Sequence, residues 1–306
     1  MGLTKEQQKG LDSMVDFFHY GVRSPVYRRP DEVGLDYEDV FFQSLDGVPL
    51  EGWFIPKKGS SKLIICNHFM PGNRYGYAGH LPGFGNFGGF EVNFLHQYKH
   101  LHDAGYNILA YDLRNHGLSG SSLGGSCTIG LHECRDVVGS IQYAKSRHET
   151  KHMTIGLLSI CLGCDSTMVA MKKWPEHFKD IRAMVGLQPI SIAPFIQQNA
   201  KLMGVESDSI GEAEKYFTDQ LRARNGFRLE ELTPIPYAKY VKIPTKIVQV
   251  HDDFRTKPED VQTIYDSLGT TEKKLFWIEN EKERFQGYNY FGKDPKEMLD
   301  WFAKYM

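Results

Sequence analysis

Short apolar runs alternate with longer amphipathic segments along most of this chain. The apolar runs have the length and composition of buried strands, and they occupy residues 62–66, 106–111, 153–158, 181–187, 245–250 and 274–278. Between and after them, apolar side chains recur at helical spacing in residues 92–104, 131–146, 162–173, 258–268 and 296–305. Strands separated by helices of this length pair in parallel, with right-handed crossovers. The pattern predicts a doubly wound, mostly parallel α/β sheet.

Two stretches depart from this alternation. At the start, residues 1–22 have a helical pattern, and residues 39–45 and 50–56 are predicted strands that an Asp46-Gly47 turn joins into a hairpin. Late in the chain, residues 191–237 show mixed helical patterns and no clear strand. We interpret this later stretch as a helical lid.

These segments divide the chain into three predicted parts. Residues 1–36 form a helical extension, residues 37–190 and 238–306 form one α/β core, and residues 191–237 form the lid inserted into that core. A chain of 306 residues is long enough for one large core with such an insertion.

The composition narrows the class of protein. With 41% hydrophobic and 24% charged residues and a formal net charge of −2, the chain has no general attraction for nucleic acid or anionic membranes. It has no apolar run of transmembrane length, and its polar first residues lack the apolar segment of a signal peptide. Five cysteines, an odd number, fit a reducing compartment better than a disulfide framework. We expect a soluble, cytoplasmic protein without nucleic-acid or membrane partners.

The most informative motif is the sequence SICLG at residues 159–163. It follows a predicted strand directly and precedes a predicted helix, which is the placement of a nucleophile elbow. The central residue is Cys161, and Ser159 stands where the first glycine of the common G-x-S-x-G pattern would be. Aligned backbone N–H groups at a helix N-terminus favour the thiolate form of a cysteine. The motif predicts a cysteine nucleophile, and the alternative is that Cys161 is a small buried hydrophobic residue.

Together with the elbow, three further segments resemble the α/β-hydrolase superfamily. They are NHF at residues 67–69, YDLRNHGLSG at residues 111–120 and QVHDDFRT at residues 249–256. They are similar, in this order, to the superfamily's HG oxyanion loop, its D-x-R-G-x-G-x-S stretch and its acid loop. The resemblance covers residues 37–306 and implies an α/β-hydrolase fold. A cysteine nucleophile is similar to that of dienelactone hydrolase-like members.

The resemblance also implies positions for the acid and for the oxyanion hole. In the superfamily's H-G-x-x-D-x-x-[TVP] loop the acid stands three residues before the threonine, which selects Asp253, with Asp252 as the adjacent alternative. The competing interpretation is that Asp253 only caps the next helix. The oxyanion donors would be the backbone N–H groups of Leu162 and Phe69, with Met70 as an alternative for the second.

The expected base is missing. The superfamily places a histidine after the last strand, but residues 279–288 contain none, and Arg284 stands in its place beside Glu283. Arginine cannot accept a proton near neutral pH. Arg284 could instead be the electrostatic partner of a Cys161 thiolate, with Glu283 as a candidate for activating water.

The missing histidine is also compatible with two different arrangements. A histidine from elsewhere could act as the base, and His68 in the oxyanion loop is better placed than His80, His116 or His132. Alternatively, the protein has lost catalysis and kept a binding pocket. The C-x-x-C pair Cys161 and Cys164 adds a third class, a redox protein, whereas a metal site is not predicted because no second pair lies at usable spacing.

Aromatic residues crowd the loops expected above the sheet edge, including Phe69, Tyr75, Tyr77, Phe84, Phe87, Phe90, Phe285, Tyr288, Tyr290 and Phe291. Such a mouth suits an apolar or aromatic small-molecule acyl substrate, and packing of the loops onto the body explains part of the pattern. We expect hydrolysis, transfer or cyclisation of an ester, lactone or thioester through Cys161, organised by Asp253 and Arg284, with no metal or organic cofactor.

Overall fold

The computed structural model describes residues 2–306, so Met1, with which the predicted N-terminal helix begins, lies outside the described residues. Ten strands form, namely β1 (Glu38–Gln43), β2 (Pro49–Ile55), β3 (Lys62–Asn67), β4 (Gly76–Ala78), β5 (Glu91–Asn93), β6 (Asn107–Tyr111), β7 (Thr154–Ile160), β8 (Ile181–Leu187), β9 (Thr245–Val250) and β10 (Lys273–Ile278). Eight of them build one sheet, and β4 pairs with β5 outside it. The main sheet contains every strand that the sequence pattern predicts.

The strands of the main sheet lie in the order β1-β2-β6-β3-β7-β8-β9-β10. β2 is antiparallel to both β1 and β6, and every other neighbouring pair is parallel. The chain leaves β3 toward β6 on one side and leaves β7 toward β8 on the other. Since β3 and β7 are neighbours, a crevice opens at their carboxyl ends, which is where open α/β sheets bind ligands. The loops that contain Phe69 and Cys161 therefore meet.

Eleven helices form within residues 2–306: α1 (Lys5–Tyr20), α2 (Leu95–Asp103), α3 (Cys134–Ser146), α4 (Leu162–Lys173), α5 (Ile192–Leu202), α6 (Ile210–Asn225), α7 (Ile235–Ala238), α8 (Pro258–Asp266), α9 (Arg284–Gly287), α10 (Tyr290–Lys293) and α11 (Lys296–Tyr305). Helices α3 and α4 pack together on one face of the sheet, and α2, α10 and α11 pack on the other. None of the helices in this part of the chain combines the length and apolarity needed to cross a membrane. The doubly wound, mostly parallel fold class is confirmed.

The N-terminal extension packs against the predicted lid. Helix α1 is capped by Thr4, whose side chain accepts from the Gln7 N–H, and it buries one apolar face. On that face the Phe18 ring lies 6.0 Å from the Phe217 ring of α6, in an edge-to-face arrangement. Arg224 of α6 forms ion pairs back to α1. Helices α1, α5 and α6 thus form one cover over the crevice.

The structure differs from the sequence pattern in two loops. Residues 92–104 were expected to be one helix, but Glu91–Asn93 pairs with β4, and α2 begins only at Leu95. The side chain of Asn93 accepts from the Leu95 N–H at 3.0 Å, which starts the helix there. In the loop after β10, α9 and α10 form without a periodic pattern long enough to predict them.

Candidate active site

Cys161 occupies the turn between β7 and α4, with φ 49° and ψ −112°. Residues other than glycine rarely adopt such a conformation, which persists only where the surroundings hold it. Here the Cys161 N–H donates to the carbonyl of Leu187 at 2.8 Å, and its carbonyl accepts from the N–H groups of Cys164 and Asp165. The turn therefore presents the thiol at the carboxyl end of the sheet. This backbone geometry matches the strand-to-helix turn predicted from the sequence.

A close approach joins the loop after β3 to the start of α4. The Gly163 N–H donates to the His68 carbonyl at 3.0 Å. A Cβ on Gly163 would lie 2.5 Å from the carbonyl oxygen of Asn67, so only glycine fits. Below the turn, the Asn67 side chain donates to Ser159 Oγ and accepts from Tyr111 Oη. These contacts hold the loop after β3 beside the start of α4.

Backbone donors are available at the predicted oxyanion positions. Within residues 2–306, no protein acceptor pairs with the N–H groups of Leu162, Phe69 or Met70. Leu162 and Phe69 are fully buried. Buried N–H groups without a partner are rare in folded proteins. Of these three residues, Leu162 and Met70 line the cavity at Cys161, whereas Phe69 does not.

Arg284, at the start of α9, is the charged group at the thiol. Its Nη1 donates to Asp253 Oδ2 at 3.0 Å, its Nη2 donates to the carbonyl of Gln188, and its side chain lines the same cavity as Cys161. Burial alone would lower the pKa of Arg284, but the oxygen of Tyr288, the Cys161 sulfur and the Asp253 carboxylate together raise it well above its ordinary value. The guanidinium is therefore a permanent, oriented cation.

Tyr288 is the second polar side chain at the thiol. Its hydroxyl accepts from Arg284 Nε at 3.0 Å, and the residue lines the same cavity as Cys161. Its ring stacks on Phe69, with 4.1 Å between centroids and an angle of 19° between the planes. Burial raises the pKa of Tyr288 well above 10, and the neighbouring sulfur adds to this rise, so the phenol is uncharged in the free protein.

Asp253 is oriented by its own loop as well as by Arg284. Its Oδ1 accepts from the Arg255 N–H at 2.9 Å, and its Oδ2 accepts from Thr256 Oγ1 at 2.8 Å. The adjacent Asp252 is exposed and bonded to His251 Nδ1. Of the two candidate acids, only Asp253 reaches the group in the histidine position.

Glu283 lies at the edge of this arrangement. Its side chain accepts from the Phe285 N–H, which caps α9, and it forms an ion pair with Arg255 at 3.4 Å. It does not line the cavity at Cys161. The structure therefore gives Glu283 a helix-capping contact instead of one with the thiol.

The candidate histidines are engaged elsewhere. His68 Nε2 accepts from the Leu113 N–H at 2.9 Å, and Nδ1 contacts the Phe69 carbonyl at 2.8 Å. Burial lowers the pKa of His68 well below 6.5. His116 packs against His68, His132 contacts Arg135, and His80 packs against Tyr27. In the described part of the chain, no histidine lines the cavity at Cys161.

Two further carboxyl groups near Arg284 were not predicted from the sequence. Asp165, one turn into α4, is fully buried, and its Oδ2 has no partner within residues 2–306. Asp260 accepts from the Ser191 N–H at 2.8 Å. Burial raises the pKa of both groups. Because a raised pKa favours the uncharged form, these two carboxyl groups attract the Arg284 guanidinium less than Asp253 does.

The thiol opens into a narrow apolar cavity of about 40 Å³, which is lined by Phe17, Phe18, Met70, Phe87, Ile129, Cys161, Leu162, Ile190, Ile192, Phe195, Arg284, Phe285 and Tyr288. Ligand pockets usually measure about 300–1,000 Å³, so this cavity is much smaller than a typical ligand pocket. Phe17 and Phe18 come from α1 and Phe195 from α5. The N-terminal helix is thus part of the wall, which the sequence pattern did not predict.

Cys164 points away from this cavity. Its thiol is free and fully buried, and a Cβ added at Gly186 of β8 would lie 2.7 Å from its sulfur. Cys161 is also a free thiol. The C-x-x-C pair is therefore divided between the cavity and the packing of α4 on the sheet.

No family model matches this chain. Over 69% of its length and 69% of the relative's, the chain is 25% identical to the uncharacterized protein YqkD of Bacillus subtilis (strain 168). The esterase Pf2001 of Pyrococcus furiosus superposes with a TM-score of 0.68 at 21% identity, covering 94% of this chain and 99% of that one.

Two more solved structures are similar. Est1E of Butyrivibrio proteoclasticus, with ferulic acid bound, gives a TM-score of 0.57 at 17% identity, covering 86% of this chain and 100% of its own. A dienelactone hydrolase of Anabaena variabilis gives a TM-score of 0.54 at 15% identity, and the match covers 88% of this chain and 99% of that one. The chain has the α/β-hydrolase fold. Within this α/β-hydrolase fold, Cys161 lies at the elbow and Arg284 lies in the loop after the last strand.

Sequence reasoning did not select Tyr288 as a site residue. One signal was present, because Tyr288 follows Arg284 by four residues, the spacing that brings two side chains together on one helical turn. For Phe17 and Phe18 no local signal exists, since their place at Cys161 depends on how α1 packs across the chain.

Proposed function

We propose that this protein is an ester hydrolase that forms an acyl-enzyme on Cys161. The observation that supports it most is the setting of the thiol, which lies at a strained turn and shares its cavity with Arg284 and with Leu162, whose N–H has no acceptor among the described residues. The structural neighbours include an esterase, a dienelactone hydrolase and a protein with ferulic acid bound, and their names favour ester chemistry.

In the proposed reaction, the Cys161 thiolate attacks the carbonyl carbon of the ester. The carbonyl oxygen becomes an oxyanion, which the N–H groups of Leu162 and Phe69 stabilise, and each such donor contributes about 3 kcal/mol in a working enzyme. Collapse of this intermediate expels the alcohol oxygen and leaves a thioester on Cys161. Attack by water on the thioester then releases the carboxylic acid and regenerates the thiolate.

Arg284 has a purely electrostatic role in this proposal. A histidine in its position would take and return a proton, but a guanidinium keeps its proton at every pH the enzyme meets. Its charge opposes the negative charge on the Cys161 sulfur, and Asp253 fixes the plane of the guanidinium through the contact at 3.0 Å. The pair thus replaces proton transfer with charge stabilisation at this position.

The lining of the cavity supports an apolar or aromatic acyl group as the substrate. Apart from Cys161, Arg284 and Tyr288, all of its side chains are apolar. Such walls bind hydrocarbon by excluding water and offer no partner to a charged acyl chain. We therefore propose a small-molecule ester or lactone whose acyl side is hydrophobic.

Acyl transfer or cyclisation is the second candidate, and the same apolar wall favours it. In the described residues, no histidine and no carboxylate lines the cavity to orient water on the thioester. An alcohol or amine that binds with the substrate would then compete well with water. A thioester is a suitable acyl donor for such a reaction.

Mass spectrometry of the intact protein tests the proposal. Wild type, Cys161→Ala and the control Cys134→Ala are exposed briefly to 4-nitrophenyl esters and to thioesters of apolar acids. We expect one acyl adduct in wild type and Cys134→Ala and none in Cys161→Ala. Its decay in water, compared with its decay in added alcohol or amine, separates hydrolase from transferase. Absence of any adduct on reduced wild type would favour a non-catalytic binding protein.

A further inference from the structure

The proposed ester chemistry leaves one requirement unmet, a proton for the departing alcohol. An alkoxide is a poor leaving group unless it is protonated as the bond breaks. Arg284 cannot give up its proton, and in the described residues no histidine lines the cavity. Asp253 is occupied by Arg284 and Thr256. Among the cavity residues, this leaves Tyr288.

The hydrogen bond from Arg284 decides how the Tyr288 hydroxyl is oriented. Because Nε of Arg284 donates to the oxygen at 3.0 Å, the hydroxyl proton must point to another acceptor. Within the described residues, the cavity that Tyr288 lines also contains Cys161 and contains no carboxylate or histidine. The phenolic proton is therefore free to be donated inside the cavity, which the thiol that would bear the acyl group also lines.

The ring of Tyr288 is held firmly in this place. It is 1% exposed, it stacks on Phe69 at 4.1 Å, and the Phe285 ring packs edge-on against it at 5.3 Å. Phe69 is also a predicted oxyanion residue, so the stack fixes the hydroxyl relative to the oxyanion donors. Fixed geometry of this kind is what a proton-transferring group requires.

Resting on the proposed function, we propose that Tyr288 is a catalytic residue that transfers the proton in both half-reactions. In acylation, the S–C bond forms, the C–O bond to the alcohol breaks, and the Tyr288 proton passes to the departing oxygen, leaving a phenolate. In deacylation, water attacks the thioester and gives a proton to that phenolate while the S–C bond breaks. The products are the carboxylic acid, the Cys161 thiolate and neutral Tyr288.

The surrounding charges fit this order of events. In the free protein, burial and the neighbouring Cys161 sulfur raise the pKa of Tyr288, whereas Arg284 lowers it. Acylation removes the negative charge of the sulfur, but the guanidinium stays bonded to the phenolic oxygen. A phenolate is thus tolerated only while Cys161 carries the acyl group, which is when the water must be activated.

A leaving-group comparison tests the proposal. The ethyl ester of an apolar acid needs a proton on its leaving group, whereas the 4-nitrophenyl ester of the same acid does not. In Tyr288→Phe we expect kcat/KM for the ethyl ester to fall by about 10²-fold or more, and acylation by the 4-nitrophenyl ester to fall far less. The control Tyr290→Phe removes a hydroxyl that contacts Asp294 outside the cavity, and both rates should stay as in wild type.

The outcomes separate the two proposals. An equal loss with both esters, or no loss with either, would overturn the role of Tyr288 while leaving the acyl-enzyme intact. Failure of wild-type protein to become acylated would overturn the proposed function as well. If Tyr288→Phe does not fold, the proton transfer can be tested in the wild-type protein by comparing reaction rates in H₂O and D₂O. The ethyl ester should react more slowly in D₂O, whereas the rate of acylation by the 4-nitrophenyl ester should be unchanged. Equal rates in both solvents for the ethyl ester would refute the proton transfer.

Discussion

Arg284 Nη1 lies 3.0 Å from Asp253 Oδ2, and the two side chains are only 2% and 1% exposed. The pair occupies the place where an α/β-hydrolase of the usual kind would be expected to hold an imidazole and a carboxylate. Its contacts to Gln188 and Tyr288 leave the guanidinium one orientation. Removing one partner of such a pair leaves a buried charge without compensation.

Asp253→Asn should therefore destabilise the protein. Breaking a buried pair by removing one charge typically costs about 3–5 kcal/mol in the free energy of unfolding. Asp252→Asn is the matched control, because that carboxylate is exposed and its loss should change stability by less than about 0.5 kcal/mol. Urea denaturation measures both. Similar stabilities of the two variants would contradict a structural role for the ion pair.

The charge of Arg284 should control the reactivity of Cys161. In Arg284→Gln, we expect alkylation of Cys161 by iodoacetamide at pH 7 to slow by about tenfold or more, because the variant removes the one cation that, among the described residues, lines the cavity of the thiol. Arg284→Lys keeps a positive charge, so its rate of Cys161 alkylation should fall less than that of Arg284→Gln. Arg222→Gln, on the exposed side of α6, serves as the control. Equal alkylation rates in all folded variants would exclude Arg284 as the partner of the thiolate.

Gly163→Ala should disturb the oxyanion loop. The added methyl would lie 2.5 Å from the Asn67 carbonyl, so the loop or the helix must shift, at a cost of about 1–3 kcal/mol. In Gly211→Ala, in helix α6, no atom lies within 4 Å of the new Cβ, and this variant should gain stability. Thermal unfolding and the rate of Cys161 acylation are both measured. Acylation as fast as in wild type would show that the loop does not contribute a donor.

The contribution of His68 to stability should become unfavourable below pH 6.5. The folded-state pKa of this buried histidine is depressed, so between that value and 6.5 the unfolded chain binds a proton that the folded chain does not. Stability is therefore lost as the pH falls, by up to about 1.4 kcal/mol per pH unit for one group. Unfolding free energies at pH 7.5, 6.5 and 5.5 should decline less steeply in His68→Gln than in wild type. The exposed His96→Gln should follow wild type.

Much of the fold could be predicted because its elements are determined locally. The apolar runs became strands within two residues of the expected bounds, and α4 begins at Leu162 as predicted. The elbow is equally local, since strand, strained turn and helix follow one another around Cys161. Periodicity identifies such elements because each buries one continuous face. The strand Glu91–Asn93 was not predicted, because so short a strand has no pattern of its own and forms only by pairing with β4.

What the sequence by itself determined is the order of strands and helices, the cysteine at the elbow and the absence of a histidine after the last strand. Only the tertiary structure decided which polar groups surround that cysteine. The fold engages both ring nitrogens of His68, and it places Tyr288, at the end of α9, in the cavity at Cys161. The physical reason is the distance along the chain over which each interaction acts. Periodicity and turn chemistry act over a few residues, whereas hydrogen-bond partners and burial are set by segments brought together from the whole chain, as the contact between α1 and α6 illustrates.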